Sequence, residues 1–221
     1  YQVLPSGVVF PKTKSDVVCL LGLGSKAPYE KLTFTARGGG TGTNGQSLTE
    51  GIVVDMSRHM RGIVSVNVAE GWVLVEPGVV LDTLNDYLKP YGMCFAPSIS
   101  PSNRATIGGM IATDACGKGS RKHGRTGDHI LGLDMVWWDG ASDWVEPGLG
   151  HEGKYEPLMA MLKDNKQYIQ EVFPALERYL TGYNLKHAWD AVSNQFDLTR
   201  LIAGSEGTLG LVVQAKLKLT P

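Results

Sequence analysis

Five glycines fall within eight residues at Gly38, Gly39, Gly40, Gly42 and Gly45, inside the stretch Ala36-Arg37-Gly38-Gly39-Gly40-Thr41-Gly42-Thr43-Asn44-Gly45-Gln46. Glycine reaches φ > 0 without a Cβ penalty, so successive amides can point into one concavity, and the missing side chains let an anion approach the backbone. Thr41, Thr43 and Asn44 add side-chain donors, and Arg37 places a positive charge beside them. The chemistry such a loop can do is phosphate binding. Its bland alternative is a glycine-rich connection with no ligand.

Two further stretches have similar character. Ala96 to Gly117 begins with a stiff, extended part containing Pro97 and Pro101, and continues as the small-residue run Thr106-Ile107-Gly108-Gly109-Met110-Ile111-Ala112-Thr113-Asp114-Ala115-Cys116. That composition suits a short helix lying against a flat ligand. Leu201 to Val213 combines a tight loop, Gly204-Ser205-Glu206-Gly207-Thr208, with a strand, and a third glycine-bearing loop spans Gly117 to Asp128. Outside these runs the candidates thin out. His59, His123, His129, His151 and His187 are scattered, and only His123 and His129 flank a ligand-type loop. Cys19, Cys94 and Cys116 have no C-x-x-C spacing, so no zinc or iron–sulfur site is expected, and Cys116 reads as a small residue packed beside a ligand.

The elements that must position the first loop are strands. Leu32-Thr33-Phe34-Thr35 precedes it and Ile52-Val53-Val54-Asp55 follows. Gly40 to Gly45 satisfies G-x-G-x-x-G, but that dinucleotide fingerprint needs a helix opening at the loop. Gln46-Ser47-Leu48-Thr49-Glu50-Gly51 is too short and turn-like to be one. The loop is expected to join strand to strand and to grip its ligand with backbone amides. Before it, Val8 to Pro11 predicts a strand, and Lys14-Ser15-Asp16 opens a helix capped by Ser15 or Asp16 and stopped by Gly22 or Gly24. After it come a hairpin, Ile63–Val68 with Trp72–Val75, and a helix over Val80–Leu88. Ile130 to Trp138 resumes the sheet, with Trp137 and Trp138 facing two packing environments. Tyr155 to Tyr183 reads as surface helices broken at Pro174.

The chain has 221 residues, a net charge of -1 from 21 basic and 22 acidic side chains, and 28 glycines, well above the usual share. This balance offers no footprint for nucleic acid or an anionic membrane. No stretch approaches the roughly 20 apolar residues of a membrane span, and the start has no signal-peptide pattern. Wide, odd-numbered cysteine spacing suits a reducing compartment. The last residues, Lys216 to Pro221, read as a strand leading onward, so the chain is expected to be a domain of a longer protein.

In order, Arg37-Gly38-Gly39-Gly40-Thr41-Gly42, the Glu76-Pro77-Gly78 corner, the Pro97 to Gly117 run centred on Thr106-Ile107-Gly108-Gly109, and Gly204-Ser205-Glu206-Gly207-Thr208-Leu209-Gly210 together resemble the FAD-binding domain of the vanillyl-alcohol oxidase and p-cresol methylhydroxylase superfamily. The resemblance covers nearly the whole chain. It is nearest the D-2-hydroxyacid branch of D-lactate dehydrogenases, glycolate oxidase flavin subunits and D-2-hydroxyglutarate dehydrogenases. It implies an α+β, two-lobed domain with FAD between the lobes, the first over 1–78 and the second over 79–221, with a helical insertion at about 141–194.

Carried over by position, the resemblance gives the pyrophosphate to Gly38, Gly39, Gly40, Thr41 and Gly42, helped by Arg37, Asn44, Gly45 and Gln46. Pro97, Ser98, Thr106, Gly108, Gly109, Ala112, Thr113 and Asp114 would line the ribityl and ring part, and Glu206, Gly207 and Leu211 the far wall. Asp114 stands where Asn is frequent, and Cys116-Gly117 where many relatives have a second glycine. No histidine occurs between Arg37 and Gln46, so the FAD is expected to be noncovalent. The implied reaction is oxidation of a D-2-hydroxy acid to the 2-oxo acid, with the electrons leaving to another acceptor. The substrate carboxylate site and catalytic base are expected in a C-terminal cap outside this chain, in a cytoplasmic protein or one peripheral to the inner face of the membrane. The alternatives are a flavin lobe serving only electron transfer in a complex, and an NADPH-dependent flavin reductase of the same fold.

Overall fold

Thr13 opens the first helix. Its hydroxyl accepts from the Asp16 amide at 3.2 Å, and the Asp16 carboxylate accepts from Thr13 N at 2.9 Å, a reciprocal capping box. The cap therefore falls before Ser15 and Asp16, because the carboxylate three residues on completes the pair from inside the helix. The computed structural model describes residues 2–148, 153–176, 182–190 and 195–221. His151 lies outside them.

β1 (Gly7–Val9), α1 (Lys14–Gly24), β2 (Phe34–Arg37) and β3 (Ile52–Asp55) form the first layer. Its sheet runs β1-β3-β2, and both pairings are parallel. Parallel neighbours need a crossover, usually a helix. Here the crossover from β2 to β3 is the glycine loop itself, as the strand-to-strand reading predicts.

β4 (Ile63–Asn67) and β5 (Trp72–Val75) form the expected antiparallel hairpin. α2 (Leu81–Leu88) buries Leu81, Leu84 and Leu88 along one face. Then follow α3 (Ile107–Ala112), α4 (Ser120–His123), β6 (Ile130–Trp137), β7 (Ser142–Val145), α5 (Glu156–Asp164), α6 (Lys166–Val172), α7 (Leu185–Ala188), the two-residue strands β8 (Trp189–Asp190) and β9 (Gln195–Phe196), α8 (Leu198–Ile202) and β10 (Gly210–Lys218). α6 stops before Pro174, whose ring cannot continue a helix.

β10 is the middle strand of a five-stranded antiparallel sheet in the order β4-β5-β10-β6-β7. Strand pairing thus divides the chain between Asp55 and Ile63. β4 and β5, expected with a first unit ending at residue 78, belong to the second sheet. The reason is packing: Val73 and Val75 share one buried cluster with Ala215 and Leu217 of β10, to which β5 is hydrogen-bonded.

A bulge in β10 sets which face each residue serves. Val212 pairs with Met135 and Gln214 with Asp134, so Val213 is the extra residue between them. Before it, Leu211 shares a cluster with Val136, α1 and β3; after it, Ala215 and Leu217 share the larger cluster with Leu133, α2 and α3. Without that insertion the odd-numbered residues of β10 would all face one side. The smaller cluster, Val17, Leu21, Val54, Met56, Met60, Val136, Leu211 and Val213, joins the two sheets around α1.

The segment after β7 is more than surface helix. Leu162, Ala188 and Trp189 are buried in the larger cluster. Trp137 Nε1 donates to Asp143, which also accepts from Lys154 and from Tyr155 OH at 3.0 Å. Trp138 Nε1 donates instead to the Thr208 carbonyl at 2.9 Å, so the two tryptophans do face different surroundings.

Candidate functional site

The four glycine-bearing motifs meet, and the contacts of the first two with the third depend on absent side chains. A Cβ on Gly38 would fall within 3.0 Å of Thr106 Oγ1, and one on Gly39 within 3.0 Å of the Arg104 carbonyl oxygen. The end of β2 therefore lies directly against the residues that open α3. Gly108 N donates to Pro77 O at 2.8 Å, and a Cβ on Gly108 would sit 2.7 Å from that proline's Cβ. Gly78 N donates in turn to Met60 O at 2.8 Å. From the other side, Gly204 N donates to Ile111 O at 3.0 Å and Glu206 N to Ala112 O at 2.8 Å.

These approaches enclose a cavity of about 580 Å³, within the usual range of about 300–1,000 Å³ for small-molecule sites. Of the residues singled out from the sequence, Arg37, Gly38, Gly39, Gly40, Thr41, Gly42, Gln46, Thr106, Gly108, Gly109, Ala112, Thr113, Glu206, Gly207 and Leu211 line it. Met56, Met110, Ile111 and Ile202 add apolar wall, and Thr43, Ser47, Ser100 and Ser205 polar wall. Met56 carried no local signal, and Ile202 only its place at the start of the Leu201–Val213 stretch; they reach the cavity through the meeting of β3, α8 and β10. Cys116 does line the wall, as the small-residue reading implies.

Five expected residues lie elsewhere. Pro97 and Ser98 line a second cavity with Asp82, Asn85, His123 and Thr220, because the 96–102 loop turns its other edge toward α2 and the end of β10. Asn44 and Gly45 lie beyond the cavity wall. Gln46 fills the inside of the loop: its Oε1 accepts from Asn44 N at 3.2 Å, and a Cβ on Gly42 would meet its amide group. Asp114 is beneath the wall, 4% exposed, accepting from Gly127 N at 2.8 Å and paired with Arg125 at 3.2 Å. His129 is also buried, its Nε2 2.6 Å from His123 O and its ring edge-on to Phe95, and neither histidine reaches the cavity.

The Asp114 pair is part of a charged network under the cavity floor. Arg125 N donates to Asp128 at 2.8 Å, and Arg200 pairs with Asp128 and with Asp197. Burial pushes the Asp114 carboxyl above its usual range, outweighing the pull of the Gly127 amide and the Arg125 charge. Asp128 moves the other way: partial burial raises it, but the Arg125 amide, the Arg200 hydrogen bond and both arginine charges hold it lower.

Among the described residues, two non-glycine residues adopt positive φ, Asp114 at 44° and Glu206 at 52°. They sit on the two segments joined by the Ile111 and Ala112 carbonyl bonds. A side chain in that region costs about 1–3 kcal/mol, which the surrounding contacts must offset. Arg37 and Glu206 are the charged side chains of the described wall, and neither has an ion-pair partner among the described residues. The Arg37 guanidinium lies over Gly40, whose φ is 62°. A Cβ-free cradle with a guanidinium beside it, opening into a long apolar cleft, fits a diphosphate joined to a flat ring.

Such a site on an α+β frame defines a flavin-nucleotide-binding domain. Residues 5–143 match the family described as "FAD binding domain", and the chain belongs to that family; its cofactor is FAD. Over all of its length it is 47% identical to D-2-hydroxyglutarate dehydrogenase of Escherichia coli (strain K12) and 46% identical to the dehydrogenase of that name from Pantoea ananatis (strain AJ13355), spanning 23% of each. It is 29% identical to glycolate oxidase subunit GlcD of Bacillus subtilis (strain 168), of which it spans 38%. A solved alkyldihydroxyacetonephosphate synthase superposes with a TM-score of 0.66 at 21% identity, over 96% of this chain and 33% of that one. That likeness shows the fold. No described helix is long and apolar enough to cross a membrane, and no three described His, Cys, Asp or Glu side chains cluster as a metal site.

Proposed function

We propose that this chain is the FAD-binding domain of a dehydrogenase that oxidises a D-2-hydroxy acid to the 2-oxo acid, with D-2-hydroxyglutarate as the first substrate to test. The observation that carries this reading is the cavity formed by the four motifs, in a chain 47% identical to a D-2-hydroxyglutarate dehydrogenase.

The amides of Gly38 to Gly42 and the Arg37 guanidinium are the groups suited to the pyrophosphate. Thr106, Gly108, Gly109, Ala112 and Thr113 suit the ribityl chain and ring edge, with Glu206, Gly207 and Leu211 opposite. Met56, Met110 and Ile111 exclude water from that side. Bound FAD supplies the hydride acceptor, and the protein's part is to hold the ring and tune its surroundings. No histidine occurs between Arg37 and Gln46, which is the basis for reading the cofactor as dissociable. The substrate carboxylate site and the base belong to the remainder of the protein, whose relatives are several times longer. The setting that fits is cytoplasmic or peripheral to the inner face of the membrane.

The test is anaerobic reduction of the FAD-loaded intact protein. Bleaching of the oxidised-flavin band by D-2-hydroxyglutarate, D-lactate or glycolate, but not by L-2-hydroxyglutarate or L-lactate, supports the reading and ranks the substrates. Bleaching by NADPH alone, or by no hydroxy acid, replaces it with the reductase or the electron-transfer lobe.

A further inference from the structure

The loop carrying Glu206 is held by a residue from outside the cavity. Thr208 is its anchor. Its hydroxyl donates to Ser205 O at 2.7 Å and its amide to the same carbonyl at 3.0 Å, closing the turn that contains Glu206 at φ 52° and Gly207 at φ 81°. Its carbonyl accepts from Trp138 Nε1 at 2.9 Å. Its Oγ1 lies 2.7 Å from the Tyr183 hydroxyl. A threonine hydroxyl has one proton, and a carbonyl can only accept, so with that proton committed to Ser205 O, Tyr183 is the donor to Thr208.

Tyr183 precedes α7, in the segment between β7 and β9 that contributes no described residue to the cavity wall. We propose that Tyr183 is a positioning residue for the cofactor: by fixing Thr208 it keeps Glu206 and Gly207 in left-handed geometry and so holds the far wall of the FAD site at its bound shape. The inference rests on the reading of the cavity as the FAD site. It adds a route by which the segment after β7 sets cofactor affinity without touching the cofactor. The strain at Glu206 is what makes a brace necessary, since an unrestrained side chain would leave that region.

The experiment measures the FAD dissociation constant of the intact protein by quenching of flavin fluorescence, with the flavin visible spectrum recorded for each variant. The variants are Tyr183→Phe, Thr208→Ser, Thr208→Val and Tyr183→Phe/Thr208→Val. One lost hydrogen bond predicts a Kd about 2- to 10-fold higher for Tyr183→Phe, with an altered spectrum. The thermal midpoint of the FAD-free form should stay unchanged, because Tyr183 is 41% exposed. Thr208→Ser, which keeps the acceptor, should bind as wild type, and the double variant should match Thr208→Val. Wild-type affinity and spectrum in Tyr183→Phe overturn the brace, as does an undiminished effect of Tyr183→Phe in the Thr208→Val background. Failure of the wild-type protein to bind FAD would instead overturn the reading of the cavity.

Discussion

Lys14 Nζ lies 2.7 Å from Asp134 Oδ1 and 2.9 Å from Oδ2, joining the first turn of α1 to the middle of β6. α1 packs with β3 of the parallel sheet, and β6 belongs to the antiparallel one, so this pair ties the two layers at the edge of their shared apolar cluster. The Asp134 side chain is 13% exposed, whereas that of Lys14 is 42% exposed. The carboxylate therefore loses more than the amine if the pair is broken.

Lys14→Met is expected to destabilise the protein by about 1–3 kcal/mol, the penalty for a buried acceptor left unsatisfied. Lys14→Met/Asp134→Leu should recover most of that loss, because an apolar pair needs no hydrogen-bond partners. Denaturant midpoints of the three proteins check this; equal stability of Lys14→Met and wild type would show that the pair contributes nothing between the layers.

Acid should act on the network beneath the cavity with two opposite signs. Asp128 has a lowered folded pKa, so its contribution is present above the unfolded value of about 3.9 and is lost as pH falls through the folded value. Asp114 has a raised folded pKa, so the folded state holds more protons there, and its contribution declines as pH rises through the window above about 3.9. Asp128→Asn should flatten the loss of stability on the acid side of pH 4. Asp114→Asn should remove a decline on the alkaline side of it. Thermal midpoints measured from pH 3 to pH 7 read both, and the same slope change in both variants would contradict the assignment.

At Gly39 the missing side chain is what allows backbone to meet backbone. Gly39→Ala puts a Cβ into the Arg104 carbonyl, and neither chain segment can yield as a side-chain tip could. FAD affinity should fall by at least about 10-fold, equivalent to about 1.4 kcal/mol. Gly22→Ala is the control: nothing lies within 4 Å of its Cβ, it is helical, and the change should raise stability by up to about 1 kcal/mol. Unaltered FAD binding in Gly39→Ala would sink the close-approach argument.

Much of the local structure was readable because it is decided by neighbours in sequence. Leu81, Leu84 and Leu88 announce a helix by spacing alone, and Pro174 the end of α6. The rejection of a dinucleotide helix after Gly45 needed only the six residues that follow, all but Leu48 polar or turn-forming. The glycine loop and the small-residue run declared their chemistry through absent side chains, which composition records directly.

Tertiary structure decided what depends on distant partners. Asp114 belongs to a run most of whose members line the cavity, but at φ 44° its side chain turns beneath the wall toward Arg125 and Gly127. Pro97 and Ser98 line a different cavity because a loop has two edges, and sequence does not say which edge meets which neighbour. β4 and β5 join β10 through a pairing that no local pattern encodes, and Val213 reverses the faces of β10 by a single unpaired residue. Residue types alone determined that this chain carries loops able to hold a phosphate and a ring. The long-range contacts of β10, α3 and the 203–208 loop determined which of those residues share one wall, because a cavity is set by the closing of strands far apart in the chain.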